Sequence, residues 1–464
     1  MKQTNIQGTP SWQGSSHELI TVISPGLLVA AHGANLLVDG TVHLDAYQYA
    51  RGTQDNQVVP NGSLLAQLLS REAGVGLEAG WTSKQVPAQF VSSGGSNTGP
   101  NNEYTTTEWH LAPYLDKQIG ASTQLKGKLD RALVQSTQQS SSLAPRPDTT
   151  VTTGSASLAQ QATPLGYELS FKHQDTSLAD QHDPVLKQST GLAKGIYAVF
   201  SELELGILAG REATDVLLER YRDRVYGWSF NWRPQERTSL SAQVENRFFG
   251  KAWQVDASHR MTWLAFSASF SRHPTTYAAS AGSMSASSLD QTLTATIPDP
   301  ADRAKAINDF LTKLGPPSQL SNAREIYNLT AQLRQEASGR MALIGRRDVY
   351  TFAAGRVDST PLTQAQSLLS TASTTRDYFF SGDWMHQLAP TWRLSNALRW
   401  TRSHQTPAAQ PYVFGREFSW RGALITDLSP SAAATLGLRR RIVHTTNYGD
   451  SAESALFAGL DYKF

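Results

Sequence analysis

Hydrophobic and polar residues alternate one for one through long stretches of this chain. In the final segment, ESALFAGLDYKF, one face carries Leu456, Ala458, Leu460, Tyr462 and Phe464. The other carries Glu453, Ala455, Phe457, Gly459, Asp461 and Lys463. A period of two belongs to a β-strand lying between two different environments. The same pattern recurs in VYGWSFNWR, where Tyr226, Trp228, Phe230 and Trp232 oppose Gly227, Ser229, Asn231 and Arg233. It recurs again in TSLSAQVENRF (238–248), WLAFSASFS (263–271) and WRLSNALRWT (392–401), where apolar and aromatic faces oppose Ser, Arg, Glu and Gln.

A soluble β-sandwich alternates too, so the pattern alone does not choose between architectures. Two further features do. The apolar faces often end in Trp, at Trp228, Trp232, Trp253, Trp263, Trp392, Trp400 and Trp420, which suits the aromatic girdles of a lipid-facing band. The connections are also sorted by length. Tight turns are predicted around 116–120, 233–236, 259–262, 345–348, 388–391 and 428–431, and longer loops at 81–102, 137–162, 273–331, 358–374 and 445–452. That parity predicts an all-β, transmembrane antiparallel barrel of roughly sixteen to eighteen strands, an even number. Residues 1–18 are expected to be a flexible N-terminal segment and 19–464 the barrel. Two connections, 50–63 and 175–193, break the parity. The longest loop predicts a short helix within DPADRAKAINDFLTKLGPP, from a cap at Asp299 to a stop at Gly315, either a surface decoration or a lid at the barrel mouth.

Composition narrows the class further. The chain has 464 residues, 41 basic and 39 acidic, for a net charge of +2, so bulk charge points to no nucleic-acid partner. Cysteine is absent, which excludes disulfides and thiolate metal sites. No apolar run is long enough for a membrane-spanning helix; the best, PGLLVAAHGANLLV, is interrupted by His32, Gly33 and Asn35. If the chain crosses a membrane, it crosses with strands closed into a barrel, because lipid offers backbone groups no partners. The N-terminal MKQTNIQGTPSWQGSS has no apolar core for an export signal, and the reading frame is expected to extend upstream.

The candidate chemistry lies on the polar faces. Alternation aims Arg233, Glu245, Arg247, Asp256, Arg334, Glu336, Arg340, Arg393, Arg399, Glu417, Arg421 and Arg439 into a lumen, while Phe248, Leu398 and Trp420 are expected to face out. Cross-strand Arg–carboxylate ladders that stiffen the wall account for such a set. So does a mildly basic lining for an anionic or hydroxyl-rich solute, and both can hold together. Ser258 and His259 in VDASHR tempt a hydrolase assignment, but neighbours on a strand point to opposite faces. The scattered histidines form no HExxH motif. No enzyme activity, cofactor or metal site is predicted.

The segments PQERTSLSAQVENRFFGKAWQVDASHRMTWLAFSASFSR (234–272), ITVISPGLLV, ARGTQ to LLAQ, and RMALIGRRDVYTF resemble the outer-membrane β-barrel family associated with PEP-CTERM/exosortase systems, a group of porin-like barrels. The resemblance covers most of the chain. It implies a bacterial outer-membrane location, contact with outer-membrane lipid, and a link to exopolysaccharide production and surface protein sorting, with polysaccharide or export components as partners. The final strand also resembles the assembly signal presented to the barrel-assembly machinery, with Leu460, Tyr462 and Phe464 carrying it. A porin-like conduit or accessory barrel is the leading expectation. An outer-membrane enzyme acting on lipid or surface polysaccharide, and a structural plugged barrel, are the alternatives.

Overall fold

The computed structural model describes residues 2–7, 15–52, 55–70, 74–87, 103–138, 147–179, 184–216, 219–276, 278–279, 330–363, 373–407, 412–446 and 449–462. Its strands begin with β1 (Lys2–Gln7), β2 (Ser15–Ile23), β3 (Gly26–His32), β4 (Leu36–Tyr49), β5 (Gln57–Ser70), β6 (Val75–Pro87), β7 (Glu103–Ile119) and β8 (Thr123–Gln138). There follow β9 (Thr149–Gln160), β10 (Leu165–Leu178), β11 (Leu186–Phe200), β12 (Leu203–Val216), β13 (Glu219–Gln235), β14 (Thr238–Arg247), β15 (Gly250–Arg260) and β16 (Leu264–Thr275). The last seven are β17 (Gln332–Ile344), β18 (Asp348–Pro361), β19 (Ser373–Ala389), β20 (Trp392–Pro407), β21 (Val413–Ser429), β22 (Ala432–Thr445) and β23 (Gly449–Tyr462).

Strands pair antiparallel with their neighbours along the chain, and β23 returns to β1 through a register running from Lys2↔Phe457 to Gln7↔Ala452. The sheet therefore closes, which removes its edges. Both β2 and β3 pair with β4, on either side of Ser24 and Pro25. They form one wall strand broken where proline has no N–H to give the ladder. The wall is thus a 22-strand antiparallel barrel.

The connections at one rim are short: 33–35, 71–74, 120–122, 161–164, 201–202, 236–237, 261–263, 345–347, 390–391 and 430–431. Gly120 opens one of them at φ 69°, a conformation that favours glycine. The longer connections, 88–102, 139–148, 179–185, 276–331, 362–372 and 408–412, all leave the other rim.

Three expectations change at this level. The strand count is twenty-two, not sixteen to eighteen. The segment 1–18 holds β1 and the start of β2, and β23 closes on β1 rather than on the strand near Ile20 to Val29. The span 137–162 is not one loop, because β9 pairs on both sides within it. With β1 and β9 counted, the connections 50–56 and 179–185 both fall at the long-loop rim, and the parity is unbroken. The helix expected between Asp299 and Gly315 lies outside the described residues, as do Lys463 and Phe464.

The register sorts side chains onto two surfaces. Exposed outside are Leu165, Ile207, Trp228, Trp263, Trp392, Trp400, Leu438, Leu456, Leu460 and Tyr462. Inside, buried polar groups include Thr106, Thr176, Glu212, Thr214, Glu245, Ser381, Ser403 and Glu453. That inversion of a soluble protein's pattern is what a barrel in lipid requires.

Candidate functional site

The twelve lumen candidates named from alternation occupy the inward rows of the register. In the arginine-rich sector, Ser267↔Arg340, Ser381↔Arg399, Ala397↔Arg421 and Arg421↔Arg439 share a face with buried Ser381 and Ser403. Arg233 sits at the short-turn rim, where its N–H donates to the Glu202 carbonyl at 2.7 Å. Asp256 stands opposite Ser241, between Gln254, which donates to it at 3.0 Å, and Ser258.

Many of these groups are paired, often with partners that strand pattern alone did not single out. Arg247 reaches Glu212 at 2.7 Å and Glu245 at 3.6 Å, and donates to Thr190 at 2.8 Å. Arg334 pairs with Glu336 at 3.1 Å, Arg393 with Asp427 at 2.5 Å, and Arg441 with Glu417 at 2.7 Å. Arg439 hydrogen-bonds Glu453. Glu212, Asp427, Arg441 and Glu453 each lie on the inward parity of their strands, but only the fold shows which cation each one meets. Two arginines differ. Arg399 and Arg421 make no ion pair with a described carboxylate, and Arg421 lies over the ring of Phe457 at 4.6 Å.

The long-loop mouth is narrowed by contacts that cross the lumen. Leu178, Val185, Leu186 and Val216, from the ends of β10 to β12, pack with Ala331 and Leu362 from the ends of β17 and β18. Phe248, Phe249 and Leu333 cover that cluster. A second one joins Ala132, Val134 and Val151 of β8 and β9 to Ala278, just past the end of β16. Thr276 donates to Thr176 on β10 at 3.2 Å, so the chain turns inward as it leaves β16. Phe248, expected to face lipid, is instead held over the cluster, because its N–H donates to buried Glu212 at 2.8 Å and its ring stacks on Tyr221 at 4.8 Å. The tip of a two-residue turn does not continue the strand's alternation.

On the outer surface, Trp263 lies in a short turn and Trp392 opens β20 directly after another. Trp420 stands opposite Leu398, on the face of exposed Trp400 and Phe418. Ser258 hydrogen-bonds Ser239 at 2.7 Å on the inward face, whereas His259 meets Thr238 at 2.8 Å on the other. Among the described residues, no three His, Asp or Glu are grouped to hold a metal ion.

A closed wall, an apolar exterior and a polar interior decide the class. The chain is a transmembrane antiparallel β-barrel. No family model and no curated protein matches it. Among solved structures it is similar to the FrpB iron transporter from Neisseria meningitidis (F5-1 variant, apoprotein form), at 9% identity and a TM-score of 0.48, over 100% of this chain and 80% of that one. It is similar to Acinetobacter baumannii OccAB4 at 8% identity and a TM-score of 0.34, over 84% of this chain and 97% of that one. For the siderophore receptor PirA from Pseudomonas aeruginosa the values are 10% and 0.33, over 100% and 80%.

Proposed function

We propose that this chain is a porin-like conduit of the bacterial outer membrane, with a lumen that favours anionic or hydroxyl-rich solutes, and that it serves exopolysaccharide export and PEP-CTERM/exosortase systems. One observation carries the choice of solute. Between β17 and β22 the inward face presents Arg334, Arg340, Arg393, Arg399, Arg421, Arg439 and Arg441, and two of them, Arg399 and Arg421, make no ion pair with a described carboxylate. Guanidinium groups offer forked donors to carboxylates, phosphates and sugar hydroxyls, and in a narrow polar passage they raise the local concentration of anions. The outward Leu460 and Tyr462 on the last described strand support a role for that strand as the signal read by the barrel-assembly machinery.

The test is the reversal potential of purified protein in a planar bilayer under a salt gradient. Anion selectivity that falls in Arg399→Gln/Arg421→Gln supports the proposal. Cation selectivity, or selectivity untouched by that pair of substitutions, contradicts it. A structural, plugged barrel is the second possibility, favoured by the apolar contacts across the mouth, and it predicts a correctly inserted but silent protein.

A further inference from the structure

The outward face at the long-loop rim carries a second set of arginines. The register places Arg356, Tyr378, Arg402, Arg416, His444 and Asp450 in one row across β18 to β23. The next row toward the rim holds Asp358, Arg376, His404 and Phe414. The next row toward the short-turn end is Phe380, Trp400, Phe418 and Ile442, all exposed.

Height along the barrel fits a membrane interface. At about 3.3 Å per residue and a tilt of about 40°, the run from Trp392 to Arg402 rises about 25 Å, the height of the apolar band of such barrels. The arginine row therefore lies where hydrocarbon gives way to head groups, with an aromatic row just inside it.

Among the described residues its charges are not balanced. Arg402 and Arg416 stand directly opposite each other, an arrangement that destabilises an antiparallel pair. Among the described residues, Arg402 has only His404, at 3.0 Å, and the ring of Phe414, at 5.2 Å, and Arg416 makes no hydrogen bond or ion pair. Arg356 and Arg376 share a single carboxylate, Asp358, at 2.6 Å and 2.7 Å. On the inward face of the same strands, Arg393, Arg439 and Arg441 each meet a carboxylate of their own, whereas Arg399 and Arg421 make no ion pair with a described one.

We propose that this row binds the phosphorylated head group of a lipid in the leaflet at the long-loop rim, the extracellular side of such barrels, with a phosphate seated between Arg402 and Arg416. Charge complementarity selects the ligand, because paired guanidiniums take phosphate through parallel hydrogen bonds. The aromatic row beneath selects a lipid over a free anion, since acyl chains lie against it while the phosphate reaches the arginines. The proposal rests on the outer-membrane location, not on solute selectivity.

The test uses the full chain purified in neutral detergent and native mass spectrometry with three probes: bisphosphorylated lipid A, fully dephosphorylated lipid A and inorganic phosphate. Wild type should retain bisphosphorylated lipid A at least tenfold better than the dephosphorylated form. Arg402→Gln/Arg416→Gln should lose that preference, and Arg222→Gln, which removes an outward arginine already paired with Asp215 at 2.8 Å, should keep it. Equal retention of both lipids by wild type, or an unchanged preference in the double variant, overturns the proposal. Inorganic phosphate competing on equal terms with the lipid overturns it as well. The comparison between lipids needs no variant, so it stands even if the double variant fails to fold. A barrel missing from outer-membrane fractions would be a failure of the location, seen separately by fractionation.

Discussion

The guanidinium of Arg421 lies over the ring of Phe457, 4.6 Å from its centroid, and the ring in turn lies over Gly437 on the neighbouring strand. A Cβ at position 437 would come within 2.3 Å of the Phe457 ring and 2.5 Å of the Gly422 carbonyl. Glycine is thus required for the ring to lie flat, and the flat ring holds in place a lumen cation that makes no ion pair with a described carboxylate.

Gly437→Ala should destabilise the barrel by about 1–3 kcal/mol through overpacking. Urea-dependent folding into vesicles measures it. In a Phe457→Ala background the penalty should shrink without vanishing, because the Gly422 carbonyl remains; full additivity of the two changes would contradict the stack.

Glu212 ties Arg247 and the Phe248 N–H together beneath the apolar cluster at the mouth. Glu212→Ala should leave the largely buried Arg247 with the longer contact to Glu245, 3.6 Å away, at a cost on the order of 3 kcal/mol, and release the Phe248 tip. Single-channel recordings should show a larger or noisier conductance than wild type. An unchanged conductance would mean that Phe248 does not narrow the passage.

Legibility in the sequence followed the strength of the alternation. Strands such as VYGWSFNWR carry large aromatics on the lipid face, so their period of two is plain. In TTVTTGSASLAQ (β9), the outward positions are Thr150, Thr152, Gly154, Ala156 and Leu158, too small and polar for the period to show. The strand was lost, and with it the parity of a neighbouring connection. Lys2–Gln7 is short and mostly polar, and only its pairing with β23 reveals its role. Inward arginines could be named by counting, because parity is local. Their carboxylates and the contacts spanning the mouth could not, since they join strands as far apart as β10 and β16.

Leu438 is exposed on the outer face of β22. Leu438→Arg should cost about 2–4 kcal/mol in folding equilibria measured in lipid, as expected for arginine near the midplane. A neutral effect would place this surface outside the hydrocarbon.

Closure can be trapped covalently, since the chain has no cysteine of its own. Thr4 and Ala455 are directly paired, and the Cα separation in such pairs suits a disulfide. Thr4→Cys/Ala455→Cys should cross-link on mild oxidation and Val22→Cys/Ala455→Cys should not. The opposite result would make β2 the closing strand.

The most direct measurement of the account compares two neighbours on β21. Phe418 faces out, opposite Trp400, and Ser419 faces in, between Arg399 and Arg441. Single-cysteine variants at these positions, reconstituted in a planar bilayer, are exposed to a small anionic thiol reagent while current is recorded. The predicted result is a stepwise fall in anion current for Ser419→Cys and no change for Phe418→Cys. A response at position 418, or none at 419 in a conducting protein, would contradict an arginine-lined lumen enclosed by a lipid-facing wall.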